Sequence, residues 1–237
     1  MSLPDKNTFY KYKTLDNFEF LLDLILKERL YAAKYDELND PMEGVINVEN
    51  TIPRDREIEW RDLIEKFRIV CFTKQSNNPL MWAHYADGGR GCIIEFELPN
   101  FIEYHKVSYV KKPLINKNDL TIDKALEVLK YKEKPWKYEA EYRCIVQKEK
   151  FLPIFVKSVT FGSRADEAKV DMLMYILKLS NPDLKVLKHC DSGSNLFQNV
   201  GLLSIYPRHF VKKGIDEHDY CEKCNDMKFA REHFRKL

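Results

Sequence analysis

The sequence lacks a hydrophobic run long enough to cross a membrane. Its longest apolar stretch, residues 20–26, contains Asp23, whereas a membrane-spanning helix needs about 20 consecutive apolar residues. The first five residues also lack the basic start and the apolar core of a signal peptide. We therefore expect a cytoplasmic protein that has no membrane partner.

An excess of charge of one sign is missing as well. The chain has 39 Lys and Arg residues against 37 Asp and Glu residues, for a net charge of +2. This balance does not by itself favour nucleic acid or an anionic membrane as a partner. Lysine is concentrated in residues 106–137, and residues 231–237 are basic. A solvated surface is the favoured interpretation of both segments, and a phosphate-facing patch is the alternative.

The six cysteines do not form the pattern of a disulfide framework. Cys71, Cys92 and Cys144 each lie in an apolar run typical of a strand, where a free thiol behaves as a small hydrophobic side chain. Cys221 and Cys224 form a Cys-x-x-Cys pair, but the second pair of a zinc site is missing. We therefore expect free thiols, as in a reducing cytoplasm, and no zinc.

Several common enzyme motifs are absent too. The chain has no glycine-rich phosphate loop, no HExxH helix, no Ser–His–Asp arrangement and no internal repeat. Alternating and apolar runs instead predict about eight short strands, interspersed irregularly with five or six helices. Because regular βαβ alternation is missing, we predict a single α+β domain over residues 1–237. Its mixed sheet, which can be split, is flanked by helices.

The predicted elements follow from local patterns. Strands are predicted at residues 9–13, 30–33, 69–73, 92–97, 106–110, 138–147, 155–161, 184–189 and 201–206. Helices are predicted to start near residue 16 and to cover residues 53–67, 79–86, 120–132, 165–179 and 216–235. In the helix at 165–179, the 3.6-residue period directs four side chains inward: Val170, Leu173, Met174 and Leu177.

Residues 69–97 are the segment that says most about a possible binding site. Two predicted strands flank a short helix that Asn78 caps and Pro79 begins. A glycine-rich turn, Asp87-Gly-Gly-Arg-Gly91, ends that helix. The helix and its turn display four side chains that can bind a ligand: Trp82, His84, Tyr85 and Arg90. A binding site and a well-packed corner both fit this pattern, and for the aromatic residues a place in the core is the commoner role.

A second cluster lies in Trp136-Lys-Tyr-Glu-Ala-Glu-Tyr-Arg143. On a strand, Glu139, Glu141 and Arg143 would share one face, because alternate side chains point the same way. Two carboxylates beside a guanidinium can differ in pKa, which suits acid–base catalysis or the stabilisation of a cation. The alternative is an exposed ladder of ion pairs.

Several motifs together carry a family resemblance. Phe9-Tyr-Lys-Tyr12, Asn39-Asp-Pro-Met-Glu43, Leu80-Met-Trp-Ala-His-Tyr85, Gly91-Cys-Ile-Ile-Glu-Phe96 and the cluster ending at Arg143 occur in this order. With Cys71-Phe-Thr, they resemble the domain-of-unknown-function family twenty-nine seventy-one. The resemblance spans residues 9–162, the expected core, which residues 163–237 would complete. It implies a bacterial protein but little about its chemistry.

A more distant resemblance concerns chemistry. Tyr12-Lys-Thr-Leu-Asp-Asn17 before a helix, and Ala140-Glu141 before an apolar strand and Pro153, are similar to the layout of DarT-like ADP-ribosyltransferases. This implies an ADP-ribosyltransferase-like fold with NAD as co-substrate. Glu141 would be the glutamate that supports cleavage of the nicotinamide–ribose bond, with Glu139 as a second catalytic residue. Lys11 or Lys13 would contact NAD, although Leu15 stands where that family has histidine.

The implied chemistry assigns further roles. A carboxylate would stabilise the oxocarbenium character of the ribose, and Arg143 or Arg90 would hold the pyrophosphate. Tyr10, Trp82 or Tyr85 would stack on nicotinamide or adenine. One class of function is therefore an NAD-consuming transferase or glycohydrolase that acts in bacterial defence or as a toxin. A silent nucleotide- or nucleic-acid-binding module and a protein-interaction domain are the alternatives.

Overall fold

The computed structural model describes residues 7–45, 47–48, 53–110, 114–115, 120–189 and 197–199. These residues fall in one compact unit. The strands are β1 (Thr8–Lys13), β2 (Arg29–Tyr31), β3 (Asn47–Val48), β4 (Arg68–Thr73), β5 (Cys92–Glu97), β6 (His105–Lys106), β7 (Ser108–Tyr109), β8 (Leu114–Ile115), β9 (Tyr131–Lys132), β10 (Glu141–Val146), β11 (Phe151–Pro153), β12 (Phe155–Phe161), β13 (Lys185–His189) and β14 (Phe197–Asn199). The α-helices are α1 (Phe18–Leu26), α2 (Arg54–Ile64), α3 (Pro79–Tyr85), α4 (Ile122–Val128) and α5 (Glu167–Ser180).

Eight strands form one sheet, in the order β14-β13-β12-β5-β1-β4-β10-β6. Only β12 and β13 pair in parallel, and the other neighbours in this sheet are antiparallel. The strands and helices confirm the predicted α+β class with a mixed sheet. Within the described part of the chain, no helix is long and apolar enough to cross a membrane. The elements predicted at residues 201–206 and 216–235 lie outside the described residues.

One face of the sheet holds the main hydrophobic core. Phe9, Phe72 and Phe96 come from adjacent strands and are buried together. Helices α1 and α5 cover this face with leucine, isoleucine, valine and methionine side chains. The four inward side chains predicted for α5 are all buried, so the 3.6-residue pattern identified the correct face.

The opposite face carries polar groups and two smaller clusters. Tyr10 of β1 pairs with Thr73 of β4, and Thr73 pairs in turn with Glu141 of β10. Paired residues share a face because side chains alternate along each strand. Helix α3 packs here through Met81, which joins Tyr12 in one of the two clusters. The polar side chains of β10 therefore face the same side as α3.

The sheet is split between β1 and β4. These strands share only the Tyr10–Thr73 register position, whereas β1 pairs with β5 at six positions. Further along β4, Ile69 exchanges two backbone hydrogen bonds, of 2.9 and 2.7 Å, with Ala33 instead. Between these points, the carbonyl of Cys71 accepts a hydrogen bond of 2.5 Å from Lys11 Nζ. The two strands thus diverge beyond Tyr10 and leave an opening.

The strand predicted at residues 138–147 is partly wrong. Residues Lys134–Glu139 form a 3₁₀ helix, and β10 begins only at Glu141. Pro135 favours a helical first turn because its φ is preset and its missing N–H is not needed there. Ala140 then adopts a left-handed conformation, with φ 44°, which turns the chain into the strand. Glu139 therefore does not lie on the strand with Glu141.

The helix predicted at residues 120–132 is also too long. Helix α4 ends at Val128, and Tyr131–Lys132 form β9, which pairs in parallel with β7. The apolar period alone extended the helix to Lys132. That side chain is buried among carboxylates on the polar side of β10, which the local pattern does not reveal.

Candidate functional site

A cleft of about 1100 Å³ opens at the split between β1 and β4. Its walls come from β1, β4, β10, α1 and α3. Seven of the ten predicted site residues line it: Tyr10, Lys11, Lys13, His84, Tyr85, Glu139 and Glu141. Although Glu139 is not on the strand, the 3₁₀ turn before β10 still brings it to the same cleft as Glu141.

Arg143 organises one wall of this cleft without lining it. The side chain is fully buried. Its guanidinium donates two hydrogen bonds to Glu43, of 2.9 and 2.5 Å, and two to Glu141, of 2.6 and 3.2 Å. The fifth N–H donates to the carbonyl of Leu129 at 2.8 Å. Because a guanidinium has five donors, none is left for a pyrophosphate, and Arg143 positions carboxylates instead.

Lys132 joins the two catalytic candidates. Its Nζ lies 2.5 Å from Glu139, 3.0 Å from Glu141 and 3.9 Å from Glu43. We call these four residues and Arg143 the charge cluster. With all members ionised, three carboxylates face two cations, so the charge cluster carries one net negative charge. All five side chains are buried, so this charge is little screened by water.

The two candidate catalytic carboxylates, Glu139 and Glu141, differ in their ionisation. Burial alone would raise the pKa of Glu141, but Arg143 and Lys132 overcome this effect and hold the pKa well below its usual range. Burial raises the pKa of Glu139, against the influence of Lys132 and of the Tyr85 hydroxyl, which donates a hydrogen bond to it. Glu141 is thus ionised at neutral pH, and Glu139 is the more basic carboxylate.

Two neutral groups also lie beside Glu141. The Tyr109 hydroxyl accepts a hydrogen bond of 2.7 Å from the backbone N–H of Glu141, and burial raises the pKa of Tyr109 to about 12. Burial also raises the pKa of the Cys71 thiol far above its usual range, and Glu141 adds to the effect. Cys71 is therefore a neutral thiol and not a nucleophile.

Two lysines of β1 supply positive charge to the cleft. Lys11 and Lys13 lie two positions apart, so they share a strand face. Lys11 is held by the Cys71 carbonyl. Lys13 makes no hydrogen bond or ion pair within the described part of the chain. Burial, and to a smaller extent the charge of Lys11, lowers the pKa of Lys13 to about 8.

Aromatic side chains line both ends of the cleft. On the side of the charge cluster, exposed His84 has its ring 5.7 Å from that of Tyr138, and Tyr10 of β1 lines the cleft as well. At the end formed by α1 and β2, Phe20 is 73% exposed and Tyr31 is 50% exposed. Exposed aromatic rings in a cleft are suited to stacking on a planar ligand.

Two other predicted residues do not line the cleft. Trp82 packs edge-on against Tyr12, with ring centroids 5.4 Å apart, in the small cluster beneath α3. Arg90 is exposed and lies 3.8 Å from the carboxylate of Asp87. Trp82 therefore packs in this cluster, and Arg90 lies outside the cleft.

The sequence interpretation missed three residues that build the site: Glu43, Lys132 and Tyr109. Glu43 ends the motif Asn39-Asp-Pro-Met-Glu43, which was the available signal, but nothing local connects it to Arg143. Lys132 lies on a short strand where the pattern predicted the end of a helix. Tyr109 lies on another short strand, where the pattern predicted a longer one. Their roles depend on contacts between distant segments.

A metal site does not emerge from the described residues. Across those ranges, no group of three or more His, Cys, Asp or Glu side chains could hold a metal ion. Cys221 and Cys224, the pair considered for zinc, lie outside the described residues.

Residues 81–144 match the model of a family described as "Protein of unknown function (DUF2971)". The matched segment runs from α3 into β10 and includes Glu139, Glu141, Lys132 and Arg143. The chain is similar to that family over these residues. No curated protein and no solved structure matches the chain.

Proposed function

We propose that the cleft binds NAD and that the protein cleaves the nicotinamide–ribose bond, as an ADP-ribosyltransferase-like enzyme or an NAD glycohydrolase. The observation that carries this proposal is Glu141. It is a buried carboxylate whose pKa is held low by two cations, and it lines a cleft of about 1100 Å³. A fixed and buried negative charge stabilises positive charge that develops in a transition state.

The charges of the cleft complement those of NAD. The nicotinamide ring of NAD is a cation, and the diphosphate is an anion. The charge cluster has one net negative charge, and all its members except Arg143 line the cleft. Lys11 and Lys13 line the same cleft and can bind the diphosphate. This arrangement favours a ligand that carries both signs of charge.

The two carboxylates have separate roles in the proposed reaction. As the bond between the ribose carbon and the nicotinamide nitrogen breaks, its electron pair moves to the ring, and the ribose gains oxocarbenium character. The ionised Glu141 stabilises that positive charge. Glu139, the more basic carboxylate, accepts a proton from the attacking water or acceptor hydroxyl. Lys132 holds both carboxylates in place.

The residues that line the cleft support one orientation of NAD. The nicotinamide end lies between β1 and Glu141, where Tyr10 and Tyr85 offer aromatic rings. The adenine end extends toward α1 and stacks on Phe20 or Tyr31, the exposed rings of that wall. In this orientation the diphosphate passes along β1.

The test compares three proteins: wild type, Glu141→Gln and Glu127→Gln. Glu127 is a control because it lies on α4 and pairs with Lys124 at 2.8 Å, away from the cleft. Nicotinamide release from labelled NAD is measured with and without cell lysate as a source of acceptor. Calorimetric titration measures NAD binding, and thermal melting verifies folding.

Wild type and Glu127→Gln should bind NAD and release nicotinamide. Glu141→Gln should still bind NAD but lose nearly all release, because the carboxylate acts on a charge that exists only in the transition state. Wild-type binding without release under any condition would support the silent nucleotide-binding module instead. Wild type that neither binds nor cleaves NAD would overturn the proposal.

A further inference from the structure

Lys13 differs from the other lysines that line the cleft. Lys11 donates a hydrogen bond to the Cys71 carbonyl, and Lys132 is bound by two carboxylates. Lys13 is half-buried and, within the described ranges, has neither a hydrogen bond nor an ion pair. A partly buried ammonium without a partner is unfavourable, so this position favours a neutral amine or an ionic ligand.

The surroundings of Lys13 also disfavour its charged form. Burial has the largest effect, the positive charge of Lys11 on the same strand adds to it, and Cys92 on β5 opposes it, so that the pKa is about 8. The other charged side chains that line the cleft are Glu19, Asp23, Arg29, Glu37, Glu43, Lys132, Glu139 and Glu141. At pH 7.5 about a quarter of Lys13 would be neutral, against about one in a thousand for an ordinary lysine.

We propose that Lys13 is a covalent binding site for aldehydes that carry a phosphate group. Its Nζ forms an imine with the aldehyde, while the cation of Lys11 binds the phosphate. Two positions along a strand separate the Cα atoms of the two lysines by about 7 Å. This spacing suits a small molecule whose aldehyde and phosphate are a few bonds apart.

The reaction needs no oxidant or reductant. The lone pair of Nζ attacks the carbonyl carbon, and a proton passes from nitrogen to oxygen to give a carbinolamine. The carbinolamine then loses water, which contains the former carbonyl oxygen, and a carbon–nitrogen double bond forms. Only a neutral amine has the lone pair for this attack. Phosphorylated sugars in their open-chain form belong to this class of aldehyde. The inference does not depend on NAD cleavage.

Pyridoxal 5′-phosphate is the probe, because it carries both an aldehyde and a phosphate. The full chain is incubated with the probe, the imine is reduced with borohydride, and the labelled lysines are identified by mass spectrometry. Lys13 should be labelled at least about tenfold more than exposed Lys66 and Lys148, given its larger neutral fraction. Labelling should reach half its maximum near pH 8.

Three variants and a second probe sharpen the test. Lys13→Arg keeps a positive charge at position 13 but should lose the labelling there. In Lys66→Arg, the labelling of Lys13 should equal that of wild type. Lys11→Gln should lower the labelling of Lys13, and pyridoxal without phosphate should label Lys13 less than the phosphate form. Circular dichroism verifies that each variant is folded.

Two results would overturn the inference. One is an even distribution of label over Lys13, Lys66 and Lys148 in wild type. The other is undiminished total labelling of folded Lys13→Arg. Equal labelling of Lys13 by pyridoxal and its phosphate would contradict the role of Lys11. None of these results depends on whether NAD is bound or cleaved.

Discussion

Arg143 binds the carboxylate of Glu43 through two hydrogen bonds, of 2.9 and 2.5 Å, although the two residues are 100 positions apart in the chain. The same guanidinium binds Glu141, two positions away on β10. One buried cation thus links the turn after β2 to the strand that carries the proposed catalytic carboxylate. The geometry of the cleft depends on this link.

Removing Arg143 should destabilise the protein strongly. Arg143→Ala leaves Glu43 and Glu141 buried without their main partner, and the free energy of unfolding should fall by about 3–5 kcal/mol. Arg56→Ala is the control, because Arg56 pairs with Glu59 at 2.7 Å on the exposed surface, and its loss should be less than about 1 kcal/mol. Urea denaturation measures both. Equal losses would contradict the structural role of Arg143.

Acid should weaken the folded state through Glu141. Its pKa in the folded protein lies below the usual value of about 4.3. The stability that it contributes is therefore complete above pH 4.3 and is lost as the pH falls through the folded pKa. Urea denaturation between about pH 5 and 2 should show a smaller loss for Glu141→Gln than for wild type. If the free energy of unfolding fell equally with pH in both proteins, the ionisation of Glu141 would not contribute to stability.

Asn78 should contribute more than an ordinary helix cap. Its side chain accepts hydrogen bonds from the N–H groups of Leu80 and Met81, and also donates to the Tyr138 carbonyl at 2.6 Å. Asn78→Ala should cost about 2 kcal/mol, because the cap is lost together with the donated hydrogen bonds to Tyr138 and to the exposed Gln75 side chain. Thr121→Ala, which removes only the cap of α4, should cost about 1 kcal/mol. Thermal or urea unfolding compares them, and an equal cost would contradict the second role.

Gly91 should not tolerate a side chain. A Cβ at this position would lie 2.2 Å from the carbonyl oxygen of Lys13 and 2.8 Å from Cα of Ala86. Both are backbone atoms, so Gly91→Ala should cost about 3 kcal/mol or more. Gly88 has a φ of +59°, and a Cβ there would lie no closer than 3.7 Å to any atom of the described residues, so Gly88→Ala should cost about 1–2 kcal/mol. Unfolding of both variants at the same urea concentration would contradict the close approach of Gly91 to β1.

Elements set by local patterns were predictable. The bounds of β5 and β12 agree with the sequence prediction, and Asn78 caps α3 as expected. In α5, the buried face follows from periodicity alone. These features depend on neighbouring residues, which the sequence displays directly.

The charge cluster could be predicted only in part. Glu139, Glu141 and Arg143 stand close together in the sequence, so their association was foreseeable, but Glu43 and Lys132 reach them through tertiary contacts. The left-handed Ala140 was equally hidden, because alanine has no local preference for that conformation. The resulting turn, and not a continuous strand, places Glu139 in the cleft.

A crystal structure of Glu141→Gln with saturating NAD tests the central claim most directly, because this variant should retain NAD uncleaved. We predict intact NAD with its nicotinamide ribose between residues 10–13 of β1 and position 141, and its diphosphate beside Lys11 and Lys13. An empty cleft at saturating NAD, or NAD bound elsewhere on the protein, would contradict the proposed function.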